Sequence, residues 1–364
     1  MTDQKDGVNG RELAVIVAMI AVIGLIFLAA LLGPRWGQTG HVRTRMSRCA
    51  SNFKQMGLSL KMYANESRGE KYPRPGYYYD VEVDCTRPIP GKEDPNVYFP
   101  PTYPRLGNSP VARFAYMFSM DDMYPEYLPD LNVLVCPDDA GMTVDDLVNP
   151  ASQTIDANEK CAGGNRGWTL TDESYVYLGH TFDKAKDSDP AIALGVLTAA
   201  NLACARTKAL APTERVGAQF AAWLAYVRTG IASDPAGFAA AVDRDWEFDN
   251  DAKTGGIDFN AESNTELVGN GHSNTLYRLR EGVERFLMTD ATGPPDDLVI
   301  PQIVVMWEQT ALATPLKSGF NHSPAGSNVL YVDGHVEFIK YPTPDKPPLN
   351  RTSILTTQCM QTER

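Results

Sequence analysis

Residues 13–32, LAVIVAMIAVIGLIFLAALL, are twenty consecutive apolar or small residues without a charge. No other feature of the chain limits its fold as much. At about 1.5 Å per residue such a run reaches roughly 30 Å as a helix, the thickness of a bilayer's hydrocarbon core. The sequence predicts a retained membrane anchor. A cleaved secretory signal is one alternative, but its apolar core usually runs only about 7–15 residues and ends at a small-x-small site. Here GPRWGQTGHVRTR follows instead. A buried core helix is the other, though such helices rarely lack a polar face. Lys5 and Arg11 precede the run and Arg35, Arg43, Arg45 and Arg48 follow it. A positive-inside count on these charges leaves the C-terminal part in the cytoplasm.

Beyond Pro34 the pattern becomes amphipathic. Met46, Cys49, Phe53, Met56, Leu60 and Tyr63 repeat at a 3-4-3-4-3 spacing, which places them on one stripe of a helix. A Pro- and Tyr-rich stretch follows over residues 71–107, too dense in proline for helix or central strand. Such a stretch packs as extended loop, or forms an aromatic platform for a glycan or peptide. Residues 189–245 are Ala-rich and predict two or three helices inserted into an α+β domain. Strand-like runs return at VERFLMTD, LVIPQIVVMWE and VLYVDGHVEFIKY, and residues 342–364 read as a tail.

A formal charge of −12 with no basic block speaks against a nucleic-acid partner, because phosphate binding needs a clustered cationic face. The sequence contains no GxSxG, Walker A or HExxH motif, and GGNRG at 163–167 does not lie between a clear strand and helix. No enzymatic activity is expected. Six cysteines at 49, 85, 136, 161, 204 and 359 show no zinc-type spacing. They fit either buried thiols, as expected for Cys49 on the helical stripe, or long-range disulfides in fifteen arrangements.

The sharpest local pattern is NVLYVDGHVEFIKY at 328–341, with His322 just upstream. Alternating apolar residues on both sides of Asp333-Gly334 predict a hairpin closed by a two-residue type I′ turn. That turn accounts for Asp333 and Gly334 without chemistry. A metal-binding or water-polarising role for His322 with Asp333 needs a second carboxylate and an open pocket, which the sequence does not place.

Several of these segments resemble the bacterial type IV pilin and type II secretion pseudopilin family. MTDQKDG ends at Gly7 like that family's prepilin leader, and Glu12 is then the fifth residue counted from Val8. VNGR departs from the apolar residues usual there, and Gly10 offers a rival cut. The resemblance extends to a subgroup of unknown function, some of whose members are labelled transporters or solute-binding proteins. It rests on SRCASNFKQMGLSLKMYANE, on Cys136-Pro137-Asp138-Asp139, on RLREGVERFLMTDATGP with VVMWE, and on His322 followed by Asp333-Gly334. The gap between His322 and Asp333 is one residue longer than in that subgroup.

The resemblance implies a pilin-like α+β fold, in which a long membrane-spanning N-terminal helix continues into a helix packed on an antiparallel sheet. The expected segments are a leader (1–7), an anchor (8–34), an amphipathic helix (35–68), a head (69–188 and 246–341) interrupted by the helical insertion (189–245), and the tail (342–364). It implies cleavage after Gly7 and methylation at Val8. Glu12 would meet a neighbour's N-terminal amine during assembly, since a lone carboxylate at a bilayer edge needs such a partner. The implied partners are lipid around 13–32 and other pseudopilin-like subunits, in a single-pass protein of the cytoplasmic membrane with its head outside. No cofactor is expected beyond a structural Ca²⁺, which oxygen-rich loops such as Asp121-Asp122, Asp138-Asp139, Asp145-Asp146 or Asp296-Asp297 can supply. The alternative function is an anchored binding protein for a solute or glycan.

Overall fold

The computed structural model describes residues 10–32, 36–80, 82–83, 111–139, 142–147, 160–161, 174–200, 210–233, 242–248, 253–254, 256–263, 268–271, 273–287, 303–310, 319–322 and 325–357. The chain divides into two compact units, Met1–Thr44 and Arg45–Arg364.

At the N-terminus the chain forms two helices, α1 (Gly10–Leu32) and α2 (Trp36–Glu66). Residues 33–35 between them lie outside the described set. Among the described residues no helix is long and apolar enough to cross a membrane. The expected pilin-like architecture, with one long membrane-spanning N-terminal helix, is therefore corrected. The apolar run and the amphipathic stripe belong to separate helices, and Gly33-Pro34 falls between them.

The second unit is α+β. In chain order its principal elements are the rest of α2, then β1 (Pro75–Asp80) paired antiparallel with β2 (Val111–Phe118), then β3 (Tyr175–Tyr177). The pair β4 (Ala191–Ala193) and β5 (Arg215–Gly217) follows, also antiparallel, and runs into α3 (Ala218–Ser233). The last third supplies β6 (Val304–Glu308), β7 (Gly326–Tyr331), β8 (Val336–Lys340) and the short α4 (Arg351–Thr357). Strands β8, β7, β6 and β3 form a four-stranded antiparallel sheet in that order.

This sheet is buried on both faces. Because strand side chains alternate, Leu330 and Val332 join the core built on α2, while Val329 and Tyr331 join a second core that contains α3. Cys49, Phe53, Met56 and Leu60 are wholly buried, so the stripe read from the sequence is the face α2 turns to the sheet. Phe53 meets Tyr175 edge to face at 5.0 Å. At Gly57 a β-carbon would lie 3.2 Å from the Leu330 methyls, so the helix backbone rides close over β7. In the second core Trp223 is fully buried and meets Phe114 edge to face at 5.3 Å. Each such large side chain contributes about 1.5–3 kcal/mol on burial, before the entropy of ordering it.

The β7–β8 hairpin is present, but its turn differs from the expected one. Leu330 pairs with Val336, and the Gly334 amide donates to the Tyr331 carbonyl at 2.9 Å. Gly334 alone in the turn takes a positive φ, +90°. A type I′ turn needs positive φ at both central residues, and Asp333 does not adopt it. Its carboxylate instead accepts from the backbone amide and the Nδ1 of His335, at 3.0 and 2.6 Å.

Candidate metal centre

Four side chains from separate parts of the chain converge beside the helix–sheet core: Cys49, Cys136, Glu308 and His322. Their donor atoms all lie within 4.8 Å of one another. Cys49, Cys136 and Glu308 are completely buried and His322 is 3% exposed.

Each is placed by an identifiable piece of local structure. Cys49 stands on the buried stripe of α2. Cys136 follows the 3-10 turn Leu131–Leu134 and opens a tight turn in which the Asp139 amide donates to the Cys136 carbonyl at 2.9 Å. Pro137 lies exposed at its tip. Glu308 ends β6, and its amide donates to Ser327 Oγ on the neighbouring β7. His322 returns to Glu308 because an isolated antiparallel bridge joins Thr310 to Phe320.

The Cys49 and Cys136 Sγ atoms are 2.8 Å apart, and both residues are free thiols. His322 Nε2 lies 2.7 Å from Glu308 Oε1 and 3.9 Å from Cys136 Sγ. Its other nitrogen, Nδ1, lies 2.6 Å from Asp138 Oδ2. A further ring of partners holds these groups in place. Arg45 pairs with Asp138 at 3.2 Å. Asn328 donates from its backbone to Glu308 Oε2 at 2.8 Å and from its side chain to Oε1 at 2.9 Å. The Cys136 amide donates to Ser174 Oγ, whose hydroxyl donates to Asp139 at 3.0 Å.

The electrostatics follow from this crowding. The Cys136 thiol is lowered to about 7, chiefly by the hydrogen bond from Cys49, while its partner is pushed far up by that same bond and by burial. Burial alone would lower His322, but hydrogen bonds with Cys136 and Glu308 outweigh it and raise the imidazole to about 10. The two ring nitrogens of His322 thus each face a carboxylate, Nδ1 that of Asp138 and Nε2 that of Glu308.

No protein-family model, no curated protein and no solved structure matches this chain. A thiol lowered to about 7 beside a histidine resembles a cysteine nucleophile, but a nucleophile needs a substrate to reach it, and Cys136 is sealed. Two thiols, an imidazole and a carboxylate in one closed space instead form a donor set suited to a metal ion.

The residues singled out in the sequence divide between the cluster and other places. His322, Cys136 and Asp138 come together, whereas Asp333 and Gly334 lie in the hairpin turn with His335. Glu308 and the pairing of Cys49 with Cys136 were missed. The signals for Glu308 were a carboxylate closing the apolar run VVMWE and, for Cys49, a thiol on a helix's buried stripe. Gly7 and Val8 lie outside the described residues, and of Glu12 only its backbone place in α1 is described. Among the acidic pairs, Asp122 binds Arg74 at 3.0 Å and Asp146 accepts from the Thr143 amide and hydroxyl. Asp296 and Asp297 lie outside the described residues.

Proposed function

We propose that this chain is a structural, non-enzymatic assembly component, in which α1 associates with α1 of further copies. The supporting observation is the surface of α1. Val15, Ile16, Val17, Met19, Ile20, Val22, Ile23 and Leu25 are each at least 43% exposed. Successive helical positions differ by about 100°, so these residues cover every side of the helix, whereas a helix that only packs on its own domain shows one apolar stripe. Covering eight half-exposed side chains of this size is worth on the order of 10 kcal/mol, before the entropy of association is subtracted. The pseudopilin-like resemblance supports the same reading, with Glu12 setting register against a neighbour's N-terminal amine. The complete burial of the thiol–histidine cluster supports the non-enzymatic part.

Sedimentation of the full chain across a concentration series tests this, alongside an Ile16→Lys/Ile23→Lys double variant. Concentration-dependent assemblies that the variant abolishes are the expected result. A wild-type chain that remains monomeric throughout overturns the reading. The N-terminal mass of the native protein tests its processing: a chain beginning at methylated Val8 is expected, and an intact Met1 removes the prepilin step.

A further inference from the structure

We propose that Cys49, Cys136, His322 and Glu308 are the four ligands of a structural zinc ion that clasps helix α2 to the head. This goes beyond the assembly reading and does not rest on it, because the site lies wholly in the second unit and needs no second copy.

Three observations carry it. The first is distance. Zinc bonds of about 2.0–2.3 Å define a tetrahedron with edges of roughly 3.3–3.8 Å. The donor separations here include 2.7, 2.8 and 3.9 Å and all lie within 4.8 Å, so shifts of about 1 Å or less bring the donors to those edges. The second is the backing of the ligands. His322 Nδ1 is held by Asp138, which fixes the ring and aims Nε2 into the cluster, the carboxylate–histidine arrangement typical of metal ligands. Asn328 holds both carboxylate oxygens of Glu308, Oε2 from its backbone and Oε1 from its side chain, and Oε1 lies 2.7 Å from His322 Nε2.

The third is the donor set. Two thiol sulfurs, an imidazole nitrogen and a carboxylate oxygen from four separate segments meet in one closed space, a mixture that suits zinc. On binding, each thiol and His322 Nε2 give up a proton to solvent, so the ion replaces the hydrogen bonds that otherwise join these atoms.

Two sulfur donors favour a soft or borderline ion over Ca²⁺ or Mg²⁺, and four protein ligands in a closed site mark a structural rather than a catalytic zinc. The ligands also join parts of the chain that no local motif links, since Cys136 and His322 stand 186 residues apart. A metal there constrains the unfolded chain as a long-range cross-link does.

The full-length protein, purified without chelator, should carry about one zinc per chain by elemental mass spectrometry. Exchange into cobalt should give sulfur-to-metal charge-transfer bands and the intense visible bands of a tetrahedral thiolate site. His322→Gln should lose most of the zinc and alter the visible bands. Because Cys49→Ser and Cys136→Ser both risk misfolding in the core, the wild-type cobalt spectrum keeps the test independent of those variants. Absence of metal, with no cobalt bands on titration of the reduced chain, overturns the proposal. A Cys49–Cys136 disulfide found by peptide mass also overturns it, since oxidised sulfurs cannot serve as thiolate ligands.

Discussion

His180 and His322 are buried to almost the same degree, at 2% and 3% exposure, and their surroundings are opposite. His180 Nδ1 accepts a hydrogen bond from Trp223 Nε1 at 3.3 Å, and its Nε2 lies 3.4 Å from the Arg244 carbonyl. Burial, and then the nearby charge of Arg278, press its pKa down to about 3, so it is a neutral core residue. His322 lies between two carboxylates and beside two thiols, and is raised to about 10. Burial is shared, so it cannot be what makes one of them a candidate site. The difference is made by neighbours: a ring among aromatic residues and a cation completes a core, and a ring among acids and sulfurs completes a donor set.

The largest test of that contrast is His322→Ala. It leaves Glu308 and Asp138 facing each other without the ring between them, and should cost about 3–5 kcal/mol in denaturant unfolding. A loss below about 1 kcal/mol would mean that the cluster contributes little to holding the fold.

Next in size is the pH response of His180. Its folded pKa lies below the unfolded value near 6.5, so the unfolded state binds the proton first. Its contribution is fully present above about pH 6.5 and declines as pH falls towards 3, by up to about 1.4 kcal/mol per unit. Urea unfolding between pH 7 and 5 should therefore slope more steeply for wild type than for His180→Gln. Parallel slopes would show that His180 is not held neutral.

Asp138→Asn keeps the shape beside His322 but removes a charged acceptor, and should cost about 1.5–3 kcal/mol. The smallest effect belongs to Asp333→Ala. Its bonds are confined to the exposed turn with His335, so about 0.5–1 kcal/mol is expected, with zinc content unchanged. A drop in metal content for that variant would return Asp333 to the site.

Periodicity made much of the second unit legible. The spacing of Cys49, Phe53, Met56 and Leu60 identified the buried face of α2, and alternation around Asp333-Gly334 identified the hairpin. The expected membrane-spanning helix did not hold: among the described residues no helix is long and apolar enough to cross a membrane. The turn type was misread because Asp-Gly fits several turns, and only the backbone shows which residue takes positive φ. His322, Cys136 and the buried Cys49 were legible singly, but their meeting in one donor cluster was not. Its four members come from a helix, a loop after a 3-10 turn, a strand end and a bridge, so no short-range spacing records them. The sequence offered Asp333 as the carboxylate near His322, whereas the sheet brings Glu308 and Asp138.

Asn328 reaches across the core to the Met46 carbonyl, a partner 282 residues earlier. The packing of α2 thus depends on the strands made last. At a synthesis rate of about 5–20 residues per second, the greasy side of α2 waits roughly 15–55 s for Leu330 and Val332 to emerge. For that interval the nascent chain displays an uncovered apolar helix, and the wait ends only when the closing hairpin arrives. Escape from the ribosome, rather than the strength of any contact, sets the earliest moment at which this head can become sound. A truncation just before residue 326 should accordingly accumulate as chaperone-bound or aggregated material.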